Sequence, residues 1–329
     1  MIQKKMITQL YKKSKLLLIL LFKTYFIAIT AQHTVKTDHH VHIFSPELLK
    51  ELKSHKYGAE QFQGPVHLYA DIDTIMKLNQ AKKIWLISTA YAYRETSESE
   101  ALEIQQQLSE QNFLSNAALK YPNRIETFYG INPIKSYALQ LIKRSHQFLN
   151  FTGIKLHFHA SHIDFRKNEH VEALKEIFEY TAKHHLPILI HFQNHKSDFG
   201  KAEVDYFFNY ILPQGLPQSL IFAHLGGGGW MTEKSILIAE SIIDNLNRST
   251  KQHKIKFEIS GILSDRYKDY ESLEDQRKYE VLSDIGFDKL LFGSDYPLIN
   301  SSSYFNMVCK RLDLSKKEIR SLRNKSQSN

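Results

Sequence analysis

This sequence predicts a single-domain (β/α)8 TIM barrel. Three observations carry that reading: eight short β-branched or apolar runs, helical patterns between them, and no Pro/Gly/Ser-rich linker or internal repeat to divide the chain. The strand candidates are Lys36 to Phe44, Ile84 to Ala90, Ile125 to Ile131, Thr152 to Phe158, Pro187 to His191, Ser219 to His224, Ile255 to Ser260 and Lys289 to Phe292. Among the intervening helices, His170 to His184 places Val171, Leu174, Ile177, Phe178 and Thr181 at helical spacing, which would bury one face against a sheet. Ile134 to Leu149 and Thr232 to Leu246 read the same way. A doubly wound open sheet is the competing arrangement. Ser97 to Pro122 is longer than one barrel unit needs and predicts an extra helical loop after the second strand, of the kind that often covers a site.

Composition permits a large core: 42% of the 329 residues are hydrophobic and 12% aromatic. The formal charge of +8 comes mostly from one end, because Met1 to Ala31 holds Lys4, Lys5, Lys12, Lys13, Lys15 and Lys23 and no acid. Setting those six aside leaves 37 basic residues against 35 acidic ones, so nothing in the remainder calls for nucleic acid. A lysine-rich start, the apolar run Leu16 to Phe22 and small residues before Gln32 have the layout of a signal peptide. Residues 1–31 are therefore expected to be removed on export to the periplasm or beyond, leaving 32–329 as the barrel domain with no stable membrane span. Lys23 interrupts the apolar stretch and Ile29 is bulky for a cleavage site, so an uncleaved anchor or a misassigned start is the alternative. The lone cysteine, Cys309, excludes an intrachain disulfide.

The site reading begins with Thr37-Asp38-His39-His40-Val41-His42. Side chains alternate along a strand, so His40 and His42 project together as a two-nitrogen clamp for a divalent metal. A catalytic site needs about three protein ligands and an open position, so the remaining groups are sought at other strand ends. His191 ends the fifth strand candidate, His224 ends the sixth, and Asp295 follows the eighth in Gly-Ser-Asp-Tyr-Pro. Lys155 lies in the fourth strand on the same alternation face as His157 and His159. All fall where barrel strands deliver side chains to the mouth.

At these residues the chain resembles the amidohydrolase superfamily, in particular the amidohydrolase-related group that includes decarboxylases and lactone hydrolases. The motifs are D-x-H-x-H at Asp38 to His42, G-x-K-L-H at Gly153 to His157, the strand-ending His191 and His224, and G-S-D-x-P at Gly293 to Pro297. A lone H-x-H is weak evidence, whereas five elements in order are specific. The resemblance implies His40, His42, His191 and Asp295 as metal ligands, and His224 as a catalytic acid/base or a ligand to a second metal. It also raises a carboxylated Lys155 bridging two metals, against which an ordinary ammonium binding an anionic substrate is the simpler reading. His157 reaches the site or makes a structural hydrogen bond. Ile319 to Asn329 departs from the pattern, lacking the usual closing helix and its asparagine-alanine signature.

A metal held by imidazoles and one carboxylate lowers the pKa of its bound water and polarises a carbonyl. Zinc is the expected cofactor, with manganese or iron as alternatives. Asp295 would double as the group accepting the water's proton, and His224 would protonate a leaving group or stabilise oxyanion charge. The expected activity is hydrolysis of a small lactone, ester or amide. The alternative is metal-dependent decarboxylation of an aromatic or unsaturated acid, and a ligand-binding barrel without turnover is the third reading. The expected partner is a small molecule, with an anion as one candidate; homo-oligomerisation is left open. His39, His55, His67, His162, His170 and His184 are expected to be surface or core residues. Arg94 and Arg266 read as loop charges able to bind a carboxylate, Asp38 as an orienting or strand-capping group, and Gly226 to Gly229 as a turn or a close approach to ligand.

Overall fold

A computed structural model describes residues 35–54, 56–95, 99–149, 151–248, 254–264 and 273–325. The leader, His55 and Arg266 lie outside the described residues, as does the Arg94 side chain. Eight strands form one parallel sheet in sequential order: β1 Thr37–His42, β2 Lys83–Ile87, β3 Ile125–Ile131, β4 Gly153–His157, β5 Ile188–His191, β6 Leu220–Phe222, β7 Ile255–Glu258 and β8 Leu290–Leu291. The sheet closes on itself beside the site. His39 N donates to Phe292 O (2.9 Å), Asp295 N to His40 O (2.9 Å) and His42 N to Tyr296 O (2.8 Å).

Helices follow the strands in barrel order: α1 Ile72–Asn79, α2 Glu100–Leu119, α3 Ala138–Phe148, α4 Asn168–Lys183, α5 Lys201–Tyr206, α6 Glu233–Asn247, α7 Asp275–Ile285 and α8 Ser301–Arg311. Strand alternation sorts the core into two parts. Ile84, Leu86, Ile154, Leu156, Ile188 and Ile190 join the large cluster beneath the helices. Trp85, Ile87, Phe128, Leu189, Ile221 and Leu291 fill the barrel itself. In α4 the buried set includes all five residues predicted from helical spacing. Helix α6 starts where Thr232 caps it reciprocally with Ser235.

The extra helical segment after β2 comprises a 3-10 turn, Ala90–Glu95, and the 20-residue α2. Helix α2 buries Glu103, Gln107, Glu110 and Gln111 beside Leu114 and Ala117, so polar contacts as well as apolar packing dock it. Three further short helices, Pro46–Ser54, Lys56–Gln61 and His67–Ala70, were not anticipated and lie between β1 and α1. Leu48, Leu49 and Tyr69 from two of them form a separate hydrophobic cluster with Phe44, Phe62 and Tyr93. One expectation is corrected. The chain does have a closing helix, α9 Lys316–Asn324, capped reciprocally by Ser315 and Glu318. This last helix is tied to the entrance of β1, because Lys36 N donates to Arg323 O (2.7 Å). Among the described residues no helix is long and apolar enough to cross a membrane.

Candidate metal centre

The centre is built at the carboxyl ends of the strands. In β1 the register with β2 slips between Asp38 and Val41, a bulge that adds one residue to β1. His39 packs edge-on to Trp85 (4.5 Å between centroids) and bonds Phe292 O through Nδ1 (2.8 Å), while His40 and His42 both face the cavity. Asp38 accepts from the His40 and Ser294 backbone amides (3.2 and 2.9 Å) and from Asn79 Nδ2 (2.7 Å). It orients His40 through the main chain and pins β1 to the segment after β8. Burial pushes its carboxyl up to about 6 against those hydrogen bonds.

His40 Nε2 lies 3.2 Å from His42 Nε2 and 3.6 Å from Asp295 Oδ1, and His42 Nε2 is 3.5 Å from the same oxygen. Four-coordinate ligands at about 2.1 Å from a cation stand about 3.4 Å apart, so this nitrogen, nitrogen, oxygen triangle fits a divalent metal. Burial would raise the Asp295 carboxyl, but the hydrogen bond with His42 holds it well below the usual range. Burial, and then the Lys155 ammonium, keep His40 neutral and able to ligate. The far nitrogens are also held. His40 Nδ1 is 2.8 Å from Glu258 Oε2, and His42 Nδ1 is 3.1 Å from Thr89 Oγ1.

His191 shares the cavity but stands outside that close triangle. It is the register partner of His157, and the two rings stack at 3.9 Å. His157 Nδ1 accepts from Ala160 N (3.1 Å), which puts its ring proton on Nε2. His224 lies 4.9 Å from the His40 ring and 5.3 Å from that of His191. Its Nδ1 is 2.9 Å from Ser260 O, and its backbone is left-handed at φ 53°, as is that of Asp295 at φ 63°. Lys155 is fully buried on β4, and burial draws its ammonium down to about 8 against the nearby Asp295 and Glu258.

Two groups escaped the sequence reading, Glu258 and Ser260. The strand-end rule that selected His191 applies equally to Lys-Phe-Glu at the end of β7, but lysine and glutamate on an alternating strand look like a solvent face. Of the bland assignments, His67, His162 and His184 are exposed, and His170 is buried with Nδ1 accepting from Asp164 N (3.1 Å).

The cavity measures about 470 Å³. Phe44, Phe62, Tyr91 and Trp230 supply aromatic wall, Gly228 and Gly229 pass along it as bare backbone, and Lys155 is the only lysine or arginine among its described lining residues. The segment between β1 and α1 covers one side through Phe44, Leu52 and Phe62.

No protein-family model matches the sequence, and no curated protein matches it either. Solved structures do. A dihydroxybenzoic acid decarboxylase from Polaromonas, with bound manganese and 2-nitroresorcinol, is 15% identical with a TM-score of 0.57 over 88% of this chain and 95% of that one. A 5-carboxyvanillate decarboxylase from Sphingomonas paucimobilis is 11% identical with a TM-score of 0.59 over 88% and 96%. A candidate 2-pyrone-4,6-dicarboxylic acid hydrolase from Pseudomonas putida is 16% identical with a TM-score of 0.55 over 88% and 94%. At these identities the likeness is one of fold. The fold is the (β/α)8 barrel of these solved enzymes, with a donor cluster at its mouth that could hold a divalent metal.

Proposed function

We propose that the protein is a metal-dependent decarboxylase of a small aromatic or unsaturated carboxylic acid. The observation that carries this reading is the buried Lys155 ammonium in an aromatic-walled cavity that also holds His40, His42 and Asp295. A buried cation beside imidazoles favours an anionic ligand, and flat apolar walls favour a planar one. The two solved decarboxylases above support the same choice, so the alternative of the sequence reading now stands ahead of hydrolysis.

His40, His42 and Asp295 would hold the cation, with His191 at the adjacent cavity wall. When bound, a divalent metal supplies concentrated positive charge that stabilises electrons left on the substrate; zinc and manganese both suit this donor set. Lys155 binds substrate anion, and His157 offers an Nε2–H donor beside it. His224, anchored at Nδ1, has a bare Nε2 that takes up a proton from solvent before the substrate fills the cavity and passes it to the substrate carbon. The carbon–carboxylate bond then breaks, its electron pair returns to the unsaturated system and carbon dioxide leaves. Aromatic side chains and the covering segment keep water away from that transfer.

Hydrolysis of a lactone or ester is the second reading, favoured by one feature. Asp295 is held as an anion within the donor triangle, where it can accept a proton from water. A panel of hydroxybenzoates, unsaturated acids and lactones, followed for carbon dioxide and for proton release, separates the two. Carbon dioxide from an aromatic or unsaturated acid is the expected result; ring opening without carbon dioxide would overturn it.

A further inference from the structure

Glu258 ends β7 and Ser260 lies two residues beyond; both are buried at the Nδ1 side of the His40 ring, whose Nε2 faces the donor triangle. Glu258 Oε1 accepts from Ser260 N, and Oε2 accepts from Ser260 Oγ (2.9 Å) and lies 2.8 Å from His40 Nδ1. Ser260 Oγ is also 3.2 Å from His40 Nδ1 and 3.0 Å from His224 Nδ1. Five polar groups therefore share one buried pocket.

With Glu258 as the carboxylate, counting protons assigns every bond. A carbonyl oxygen can only accept, so His224 Nδ1 carries a proton and donates it to Ser260 O (2.9 Å). The single Ser260 hydroxyl proton goes to Glu258 Oε2. His40 Nδ1 then has only that same carboxylate and a hydroxyl lone pair before it, so it too is a donor. Both rings are left with a bare Nε2, the atom that in His40 joins the donor triangle. His40, His224 and Glu258 lie close enough to hold a cation of their own, but each facing atom already has a partner and the serine hydroxyl stands among them. Gly293 closes the pocket: a Cβ there would collide with the Glu258 carboxylate and stand 2.8 Å from His40 Cβ.

We infer that Glu258 and Ser260 form one positioning unit that fixes the tautomer and orientation of His40, a proposed metal ligand, and of His224, the proposed proton carrier. Neither residue touches the cavity wall; they act through the rings they hold. The inference rests on the metal reading but not on the choice of reaction.

The test uses the full chain loaded with Zn2+ and titrated with a chelator. Glu258→Gln keeps the volume and one acceptor but removes the charge, and is expected to weaken zinc binding about 10- to 100-fold. Ser260→Ala leaves the His224 bond to the backbone carbonyl and is expected to weaken zinc binding roughly three- to tenfold. Spectra of 15N-histidine-labelled protein should show His224 protonated at Nδ1, assigned by its loss in His224→Asn. A merely structural role would lower the melting temperature of the metal-free protein and leave zinc affinity alone. A folded Glu258→Gln protein with parental zinc affinity overturns the inference, as does a His224 proton found on Nε2. If Glu258→Gln does not fold, Ser260→Ala decides on the same affinity readout, and an unchanged value overturns it. Failure of the parent protein to take up zinc or manganese would sink the metal reading and this inference with it, whereas uptake by the parent with unaltered variants sinks this inference alone.

Discussion

Glu110 offers a quantitative test of how the segment over the cavity is anchored. Its carboxylate accepts from Ser45 N (3.1 and 3.3 Å), one residue past the cavity-lining Phe44, and it is 1% exposed. Burial pushes it from 4.5 up to about 7, against the hydrogen bonds from Ser45. The folded state therefore holds this proton more tightly than the unfolded chain does. Stability from this group is fully present below the unfolded value and is lost as pH rises toward the folded one. Integrating between roughly pH 5 and pH 8 gives a loss of about 2–3 kcal/mol. Glu110→Gln keeps an acceptor for Ser45 N and has no charge to bury, so it should match the parent near pH 5 and exceed it near pH 8. For a barrel of this size the gap corresponds to about 4–5 °C in melting temperature. Thermal melts of both proteins across that range measure it. A constant difference, or one that shrinks as pH rises, would refute the reasoning.

Three further outcomes are expected. His42→Ala and Asp295→Asn should each leave the purified protein with much less divalent metal by elemental analysis, and undiminished metal in both would remove the donor triangle. His224→Asn should keep its metal while turnover falls roughly two to four orders of magnitude; metal lost in step with activity would instead make His224 a ligand, as in a binuclear site with carboxylated Lys155. We propose export, so N-terminal sequencing of protein from the fractionated native host should begin near Gln32, and an intact Met1 in the cytosolic fraction would refute it.

The eight strands were legible because a parallel barrel strand is covered on both sides and must be written in β-branched and apolar residues; Ile125–Ile131 matches to the residue. The candidate donors His40, His42 and Asp295, which the structure brings together, stood out for a different reason: a polar ligand type at the end of an apolar run is not needed to build the strand. What was missed follows the same physics. Helix α9 buries only Leu322 fully and begins on the Ser315 cap, so periodicity had little to register. The short helices between β1 and α1 contribute only a few residues each to a mixed hydrophobic cluster with Phe44, Phe62 and Tyr93, which leaves no long repeat. The β1 bulge depends on pairing partners that sequence spacing does not contain. Glu258 was passed over because a buried carboxylate and a solvent-facing one are spelled with the same letter.

The left-handed backbone at His224, Leu225 and Asp295 has a consequence for how this protein would respond to selection. Residues with a Cβ hold such conformations at a cost on the order of 1 kcal/mol or more, and the bulky Leu225 holds it least comfortably. Glycine at 224 or 295 would relax the chain, whereas at 225 it would strip a fully buried leucine from the core and cost more than it relieves. Libraries screened for heat resistance alone should therefore enrich glycine at 224 and 295, keep leucine at 225, and recover hardier proteins that no longer turn over substrate. Screened for turnover, the same libraries should retain histidine and aspartate at 224 and 295 and find their stability elsewhere.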